Sequence, residues 1–99
     1  MTTANDADQA RRITDALLPT HMAADVQTTQ IDSAYWWDGE IRTKPEILFQ
    51  IKTRTELFPA VEKIIRENHT YKVPQIIAIP IIAGSTDYLD WIKEETKCA

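Results

Sequence analysis

The dipeptide Asp38-Gly39 constrains what this chain can fold into more than any other feature of its sequence. Both residues suit the positive φ angles that a two-residue type I′ turn requires, which makes the pair a strong hairpin signal. Strand-like residues lead into the turn at 34–37 and out of it at 40–43. We therefore expect an antiparallel hairpin, with a weaker strand before it at 22–31.

Two further strands are predicted from apolar patterning. Ile47, Phe49 and Ile51 recur at every second position, as in a strand with one face in the core. Residues 75–79 are almost continuously apolar, which is typical of a strand covered on both faces. Pro80 lacks an N–H donor, so we expect this strand to be bulged or to become an edge there.

Helices are predicted in three places. Asp6 and Gln9 stand in the positions of a capping box, and Pro19 ends the following helix after Leu18. The apolar stripe of a second helix comprises Leu57, Val61, Ile64 and Ile65. The aromatic and apolar residues of a last short helix are Tyr88, Leu89, Trp91 and Ile92.

The order of these elements gives the fold class. A short strand at 1–4, a helix, a hairpin, a helix, a strand and a helix follow one another along the 99 residues. This is the split βαβ order of the ferredoxin-like α+β fold, with two helices on one face of an antiparallel sheet. We expect a single domain over residues 1–99, with a shortened first strand and an extra C-terminal helix.

Composition argues against several classes of function. The net charge of −4 disfavours a nucleic-acid partner, which usually meets a basic face. Two glycines are too few for a Walker loop or a GxGxxG fingerprint. The single cysteine, Cys98, allows no internal disulfide and no CxxC motif. The sequence contains no nucleophile elbow, Ser-His-Asp order or HExxH motif, so we expect a protein that is not an enzyme.

Two sequence features bear on where the protein is located, namely its first residues and its longest apolar run. The opening residues 1–8 are polar and acidic, unlike a signal peptide. The longest apolar run, residues 76–83, is too short to cross a bilayer and contains Pro80. We therefore expect a cytoplasmic protein without a membrane partner.

Four groups of residues are informative as a set because of their order and spacing. They are Tyr35-x-Trp37-x-Gly39-Glu40, Lys52-Thr53, His69-x-Tyr71-x-x-Pro74-x-Ile76 and Tyr88-Leu89-x-Trp91. Over nearly the whole chain they resemble the divalent-cation tolerance protein CutA family. The resemblance implies a ferredoxin-like fold, a homotrimer with sheets joined edge to edge around a three-fold axis, and a link to tolerance of copper and other divalent metals.

The chain departs from that family at positions that matter for metals. Cysteines linked to copper binding in some members correspond here to Thr2 and Asp25, neither of which offers a thiolate for copper(I). The family's HPY and PEI segments read His69-Thr70-Tyr71 and Pro74-Gln75-Ile76, so a proline and a carboxylate are lost. The resemblance leaves His69 as the matched ligand for a divalent ion such as copper or zinc.

His69 also has a structural interpretation, which the sequence favours. A histidine just after the second helix can cap the end of that helix. A single histidine makes a weak metal site because known sites use three or four ligands, although a trimer could gather three copies. Both interpretations stay open at this point.

Aromatic and polar residues supply a second candidate site. Trp36 and Trp37 are adjacent on a strand and point to opposite faces, so one of them lies outside the monomer core, in a subunit interface or a pocket wall. Trp91 is expected in core or interface packing. The residues expected to line a ligand cleft or an interface between subunits are Trp37, Glu40, Lys52, Tyr71, Tyr88 and Trp91.

Two functions follow from these observations. The first is a non-enzymatic homotrimer in divalent-cation (copper) tolerance, metal homeostasis or signalling, with room for an unidentified protein partner. The alternative is a trimeric signalling module that holds a small molecule or an anion between subunits, by analogy with the PII proteins.

Overall fold

The computed structural model describes residues 1–96, and Cys98 lies outside the described residues. Three strands form one antiparallel sheet in the order β1-β3-β2: β1 (Thr2–Ala4), β2 (Asp25–Trp37) and β3 (Glu40–Lys52). The helices are α1 (Ala7–Leu17), α2 (Phe58–Glu67) and α3 (Thr86–Glu95), and a 3-10 turn at Thr55–Leu57 precedes α2. Within residues 1–96, every helix is too short or too polar to span a bilayer.

The hairpin is longer and more regular than the sequence predicts. Asp38 and Gly39 have φ angles of 54° and 77°, as a type I′ turn requires. From this turn, β2 and β3 pair without interruption as far as Asp25 and Lys52. The separate short strands predicted on each side of the turn are therefore one 13-residue strand each.

Pro45 does not interrupt β3 because of where it falls in the ladder. The two-residue loop makes Trp37 and Glu40 a hydrogen-bonded pair, and such pairs alternate along an antiparallel ladder. Pro45, opposite Asp32, is then at a pair whose backbone N–H groups point away from the partner strand. β1 covers β3 only at residues 47–49, so the N–H that Pro45 lacks would meet no strand within residues 1–96.

Residues 75–79 are not the buried strand that the sequence predicts. They contact the sheet through an isolated bridge between Ile76 and Thr2 and through two backbone hydrogen bonds between Ile77 and Met1. Ile77 and Ile79 are 46% and 60% exposed. The prediction was wrong because β1 pairs with this segment only at Met1 and Thr2, and the side chains beyond lie outside the core of the described residues.

The bridge to Thr2 nevertheless settles the topology. It places residues 75–79 beside β1, on the side away from β3. The resulting spatial order is segment 75–79, β1, β3, β2, which is that of a ferredoxin-like sheet. The predicted α+β ferredoxin-like class, with its short first strand and extra C-terminal helix, is confirmed.

The hydrophobic core lies between one face of the sheet and helices α1 and α2. The side chains that fill its centre are Ile13 and Leu17 of α1, Phe49 of β3 and Ile65 of α2. α1 begins at the predicted capping box, because Asp6 Oδ1 accepts from Gln9 N at 2.9 Å and Gln9 Oε1 accepts from Asn5 N at 2.8 Å. This core covers one face of the sheet, and we call the opposite face the outer face.

Candidate functional site

A cluster of polar side chains lies near the middle of the outer face. Side chains alternate along strands, so the register puts Ser33 beside Lys44, with Glu46 next on the same face. Thr3 of β1 also points to this face, and Tyr71 reaches it from the loop after α2. The Glu46 cluster is defined here as Thr3, Ser33, Lys44, Glu46 and Tyr71.

Glu46 is buried, with 8% of its surface exposed, and is fully supplied with donors. Its carboxylate accepts a 2.7 Å hydrogen bond from the Tyr71 hydroxyl, lies 3.9 Å from Lys44 Nζ, and accepts further hydrogen bonds from the side chains of Ser33 and Thr3. Burial by itself raises the pKa of this carboxyl. The three hydroxyls and the lysine charge outweigh burial, so the pKa of Glu46 lies below its ordinary value and the group is ionised at neutral pH.

Tyr71 is held protonated by the same arrangement. Burial raises its pKa, and the hydrogen bond to the Glu46 carboxylate and the negative charge of that group raise it further. Lys44 Nζ stands 3.8 Å from the centroid of the Tyr71 ring, in a cation–π contact. The Tyr35 ring lies 6.0 Å from the same ammonium. Lys44 is therefore fixed between a carboxylate and two aromatic rings.

The loop that carries Tyr71 is tied to the N-terminal part of the chain. His69 Nδ1 accepts from the backbone N–H of Tyr71 at 3.1 Å, so Nε2 carries the proton and donates to the Thr3 carbonyl at 2.6 Å. The side chain of Gln9, itself buried, donates from Nε2 to Thr70 Oγ1 at 2.7 Å. These bonds set the position of Tyr71 over Glu46.

The geometry of His69 bears on both interpretations of that residue. The side chain that caps the end of α2 is that of Asn68, whose Nδ2 donates to the Ile64 carbonyl at 2.9 Å, whereas the His69 ring bonds to Thr3 and Tyr71. Both ring nitrogens of His69 are engaged, so a metal ion would have to displace one of its hydrogen bonds. In residues 1–96, no three His, Cys, Asp or Glu residues are grouped so as to hold a metal ion. The metal prediction for His69 stays a prediction, without a prepared donor set in one chain.

Thr2 and Asp25, at the positions of the family's copper-linked cysteines, lie on opposite faces of the sheet. Thr2 pairs with Phe49 and is fully buried in the core, where its hydroxyl has no hydrogen-bond partner among residues 1–96. Asp25 pairs with Lys52 on the outer face. One ion could not be held by both positions of a single chain.

A second polar cluster lies at the end of the sheet away from the turn. Asp25 Oδ1 is 3.4 Å from Lys52 Nζ, and Asp25 Oδ2 accepts from the Tyr88 hydroxyl at 3.1 Å. Lys52 also donates to Gln27 Oε1 at 2.6 Å. The ring of Tyr88 stacks on that of Trp91, with centroids 5.7 Å apart, and Trp91 is 40% exposed. These contacts link α3 to the sheet.

The residues predicted to line one cleft are thus distributed over three places in a single chain. Lys52, Tyr88 and Trp91 meet at the strand end, and Tyr71 joins the Glu46 cluster. Trp37 and Glu40 stand beside the turn, with Glu40 only 3.8 Å from Arg42 in an exposed pair. Any cleft that unites these places would have to be completed by another subunit.

One open cleft is nevertheless formed within the chain. It has a volume of about 770 Å³ and runs from the Glu46 cluster to the turn of the hairpin. Its walls include Tyr35, Trp37 and Arg42 from the hairpin and Lys72 and Val73 from the loop after α2. We call it the Tyr71 cleft. Of the residues predicted for the site, it unites Trp37 and Tyr71.

Large apolar side chains are exposed at the turn of the hairpin and after residue 76. At the turn, Trp36 is 72% and Ile41 64% exposed. After residue 76, Ile79, Ile81 and Ile82 are 60%, 51% and 94% exposed. Contiguous apolar surface of this kind is typical of an interaction site.

Sequence reasoning missed Lys44 and Glu46, although a signal for them existed. The Asp38-Gly39 turn fixes the register, so counting back from it pairs Ser33 with Lys44. Glu46 precedes Ile47, whose side chain faces the core, so strand alternation would have placed the Glu46 carboxylate on the outer face. The contact with Tyr71 depends on a loop conformation that no pattern in the sequence encodes.

Comparisons with known proteins agree with this architecture. Residues 1–95 match the CutA1 family, described as CutA1 divalent ion tolerance protein. The chain is 40% identical over 88 residues to the divalent-cation tolerance protein CutA of Thermus thermophilus, covering 88% of this chain and 85% of that protein. It is 36% identical over 96 residues to the chloroplastic protein CutA 1 of Oryza sativa, covering 96% of this chain. The chain spans 54% of the rice protein's length, or about half.

The solved structures extend the similarity to three dimensions. The periplasmic divalent cation tolerance protein CutA from Archaeoglobus fulgidus has a TM-score of 0.94 to this chain at 38% identity. That similarity covers 97% of this chain and 94% of the other. Since the family match spans residues 1–95 and the fold is shared, this chain belongs to the CutA1 divalent ion tolerance protein family.

Proposed function

We propose that this chain is a non-enzymatic protein that contributes to tolerance of copper and other divalent cations. We propose further that it forms a homotrimer in which the sheet edges of neighbouring copies are joined. The observation that carries the proposal is a sheet with two different unpaired edges, each beside exposed apolar side chains. The number three comes from the family resemblance. Cytoplasmic location is part of the proposal, and cell fractionation tests it.

The first edge is the outer edge of β2. This strand is 13 residues long and pairs with β3 on one side only. By the alternation of the ladder, the backbone groups of Thr28 and its alternate neighbours point outward. A long unpaired edge is a template for another strand unless it is covered.

The second edge is the segment that follows the bridge at Ile76. Its exposed isoleucines alternate with less bulky residues as far as Ile81, a pattern suited to strand pairing. Within residues 1–96 it pairs only with Met1 and Thr2. Joining this edge of one copy to the β2 edge of the next is a head-to-tail contact, and such contacts close into rings when the rotation permits.

Multi-angle light scattering tests the assembly. We expect the unmodified protein to have three times the mass of one chain at micromolar concentration. The double variant Ile79→Glu, Ile81→Glu is expected to have the mass of one chain, because two charges would be buried unpaired at the joined edges. Leu18→Glu, at an exposed apolar residue after α1, is the matched control and keeps the full mass. A monomeric unmodified protein, or an assembled double variant, contradicts the proposal.

The absence of catalysis is supported by the charge states in the Glu46 cluster. The pKa of Glu46 is lowered and that of Tyr71 is raised, so both shifts move away from neutrality. A general acid or base works best with a pKa near the operating pH. The cluster is therefore arranged to hold its charges fixed, which suits binding or structure better than proton transfer.

The proposed role in tolerance does not rely on a metal ion held by one chain, because the described donors do not fit one. Calorimetric titration with copper(II) and zinc(II) checks this for the wild type, His69→Ala and the control His21→Ala. We expect the same weak heat in all three proteins. Saturable binding that only His69→Ala abolishes would restore His69 as a ligand.

A second candidate function is the binding of a small molecule or an anion. It is favoured by one observation, the Tyr71 cleft, whose floor is a fixed network of charges and whose walls are aromatic and cationic. Thermal stabilisation by added ligands tests this candidate independently of assembly, since ligands that bind only the folded state raise its stability.

A further inference from the structure

We propose that the side chains of Arg54 and His21 together cap the C-terminal end of α3, and that this cap keeps residues 77–85 in position to pair with another copy. The α3 cap is defined here as Arg54, His21 and Thr96. The inference rests on the proposed joining of sheet edges. It adds a control of that joining by residues that belong to neither edge.

Arg54 binds the last turn of α3 through two donors. The final carbonyls of a helix have no partner within the helix itself. Arg54 Nη2 donates to the Thr96 carbonyl at 2.5 Å, and Nε donates to the Thr96 hydroxyl at 3.1 Å. That hydroxyl donates in turn to the Ile92 carbonyl at 2.6 Å, and Thr96 is fully buried. The guanidinium charge also lies at the negative end of the helix dipole, where a cation is stabilising.

His21 reaches the same end of α3 from the turn after α1. Its Nδ1 donates to the Glu95 carbonyl at 2.8 Å. The backbone of His21 has a φ of 58°, which is uncommon for a residue other than glycine, and its N–H donates to the Leu18 carbonyl at 3.0 Å. The turn after α1 thus holds the imidazole against α3. Two connections that are distant in sequence, α1 to β2 and β3 to α2, therefore meet at one helix end.

Within its own chain, α3 depends on polar contacts more than on the core. Ile92 is the buried residue of α3, and it is outside the apolar cluster formed by the sheet, α1 and α2. At the other end of the helix, the Tyr88 hydroxyl donates to Asp25 Oδ2 at 3.1 Å. These contacts are all made inside one chain, so they do not depend on which surfaces another copy covers.

Residues 77–85 connect this helix to the sheet. At their start, Ile77 exchanges two backbone hydrogen bonds with Met1, of 2.6 and 3.1 Å. At their end, Ser85 is the N-cap residue of α3. Between these points the segment pairs with no strand within residues 1–96, so its position is set by its two ends. Fixing both ends leaves fewer conformations to lose on pairing with another copy, and loss of the α3 cap would free one end.

Amide hydrogen exchange measured by NMR tests the α3 cap itself. Arg54→Gln should speed exchange at the helical amides of α3, such as that of Leu89, at least about tenfold, the loss of roughly one charge-assisted bond. His21→Gly should speed it about two- to tenfold, because glycine permits the positive φ but removes the ring. The amides of α1 are the internal reference and should keep their rates.

Two further variants separate the bonds of the cap from general effects of substitution. Asparagine tolerates positive φ, and its Nδ2 is as many bonds from Cβ as the imidazole Nδ1. His21→Asn should therefore keep α3 exchange within about twofold of the wild-type rate. Arg66→Gln removes an arginine from the exposed surface of α2 and is the matched control for Arg54→Gln, with α3 exchange unchanged.

Subunit exchange tests the consequence for joining. Unlabelled protein is mixed with isotope-labelled protein, and native mass spectrometry follows the appearance of mixed trimers. We expect mixed trimers of Arg54→Gln to form at least about tenfold faster than those of the wild type and of Arg66→Gln, since releasing one end of the segment weakens the joined edges.

The inference is overturned by α3 amides that keep the wild-type rate in Arg54→Gln and His21→Gly, or by α1 amides that accelerate as much as those of α3. It is also overturned by subunit exchange at the wild-type rate although α3 is loosened. In that last case the protein is still a trimer, so the assembly stands and its control by the α3 cap fails. A monomeric wild type contradicts the assembly and the control of joining, and faster exchange at α3 alone would then still assign Arg54 and His21 to the cap.

Discussion

The core and the two exposed edges of this protein both contain large apolar side chains, but these are buried in the core and exposed to solvent at the edges. In the core, Ile13 and Phe49 are fully buried. At the edges, Ile82 is 94% and Trp36 72% exposed. The difference teaches that an apolar pattern indicates that side chains are to be covered, but does not say whether the cover is the same chain or another copy.

The largest effect on the free energy of unfolding should come from truncating a side chain in the core. Phe49→Ala removes a fully buried ring between the sheet and the helices, and should lower the free energy of unfolding by about 3–5 kcal/mol. Urea unfolding followed by circular dichroism measures this change.

Ile82→Ala is the counterpart at the edge. We expect its circular dichroism spectrum to match that of the wild type, while sedimentation shows a smaller assembled fraction. If Phe49→Ala proved as stable as the wild type, the distinction between the core and the edges would be wrong.

The next effect distinguishes the two sides of β2. Thr29 is opposite Leu48 at a hydrogen-bonded pair, so Thr29→Pro removes an inward N–H and should destabilise the hairpin by about 1–3 kcal/mol. Thr28→Pro removes an outward N–H, and should weaken assembly more than it weakens the chain's own fold.

Unfolding and light scattering on this pair of variants separate the two effects. Equal loss of stability in both variants would show that the outer edge of β2 takes no part in pairing between copies.

A smaller effect is expected at the turn. Gly39 has φ 77° and no atom within 4 Å of an added Cβ, so Gly39→Ala introduces backbone strain and no clash, at about 1–2 kcal/mol. Gly39→Asn should lose less, because asparagine tolerates positive φ. Thermal unfolding measures both.

Gly84 gives the contrasting case. An added Cβ there would lie 3.1 Å from Leu89 Cδ2, a contact that a side-chain adjustment can relieve. A turn that tolerated alanine as well as asparagine would contradict the assignment of strain at Gly39.

The smallest effect concerns pH. Because folding lowers the pKa of Glu46, this carboxyl stabilises the protein above its unfolded pKa of about 4.5, and the stabilisation is lost as the pH falls through the lower folded pKa. Tyr71→Phe removes one donor and should raise the pKa of Glu46 towards its ordinary value, as measured by NMR titration of the carboxyl carbon.

Glu46→Gln should flatten the acid limb of the stability profile in the same interval. Tyr35→Phe, whose hydroxyl is not among the donors to Glu46, is the control and should leave that pKa unchanged. A lowered pKa that persists in Tyr71→Phe would assign the shift to the other donors.

Local chemistry made much of the fold predictable from sequence. The capping box at Asp6 and the turn at Asp38-Gly39 depend on neighbouring residues alone, and both lie where they were predicted. The order of elements followed from the turn signal and the apolar periodicities, before any family resemblance was used. The sequence predicted one strand at 40–43 and a separate one through Ile47, with Pro45 between them. β3 accommodates Pro45 because of the side of the ladder that its N–H would face, and this is known only once the register is counted.

The candidate site was less predictable because it depends on distant parts of the chain. Tyr71 and Trp37 were named, but the buried Glu46 that holds Tyr71 was not. Residues 75–79 were expected in the core because a continuous apolar run looks the same whether its cover is internal or comes from another copy. The bond from His69 to Thr3 joins a loop to the first strand, and no spacing rule anticipates it.

The two-residue turn also has a consequence for how the chain folds. Trp37 and Glu40 are adjacent across the turn, whereas Asp25 and Lys52 are 27 residues apart in sequence. If pairing begins at the turn and proceeds outward, each new pair closes only a small additional loop, so the loss of chain entropy at each step is small. Thr2 finds Phe49 only across nearly half the chain. We therefore expect the hairpin to form within microseconds, as isolated hairpins do, and the docking of β1 to set the folding rate. The most solvent-exposed part of the sheet would then be the first to acquire its pairing.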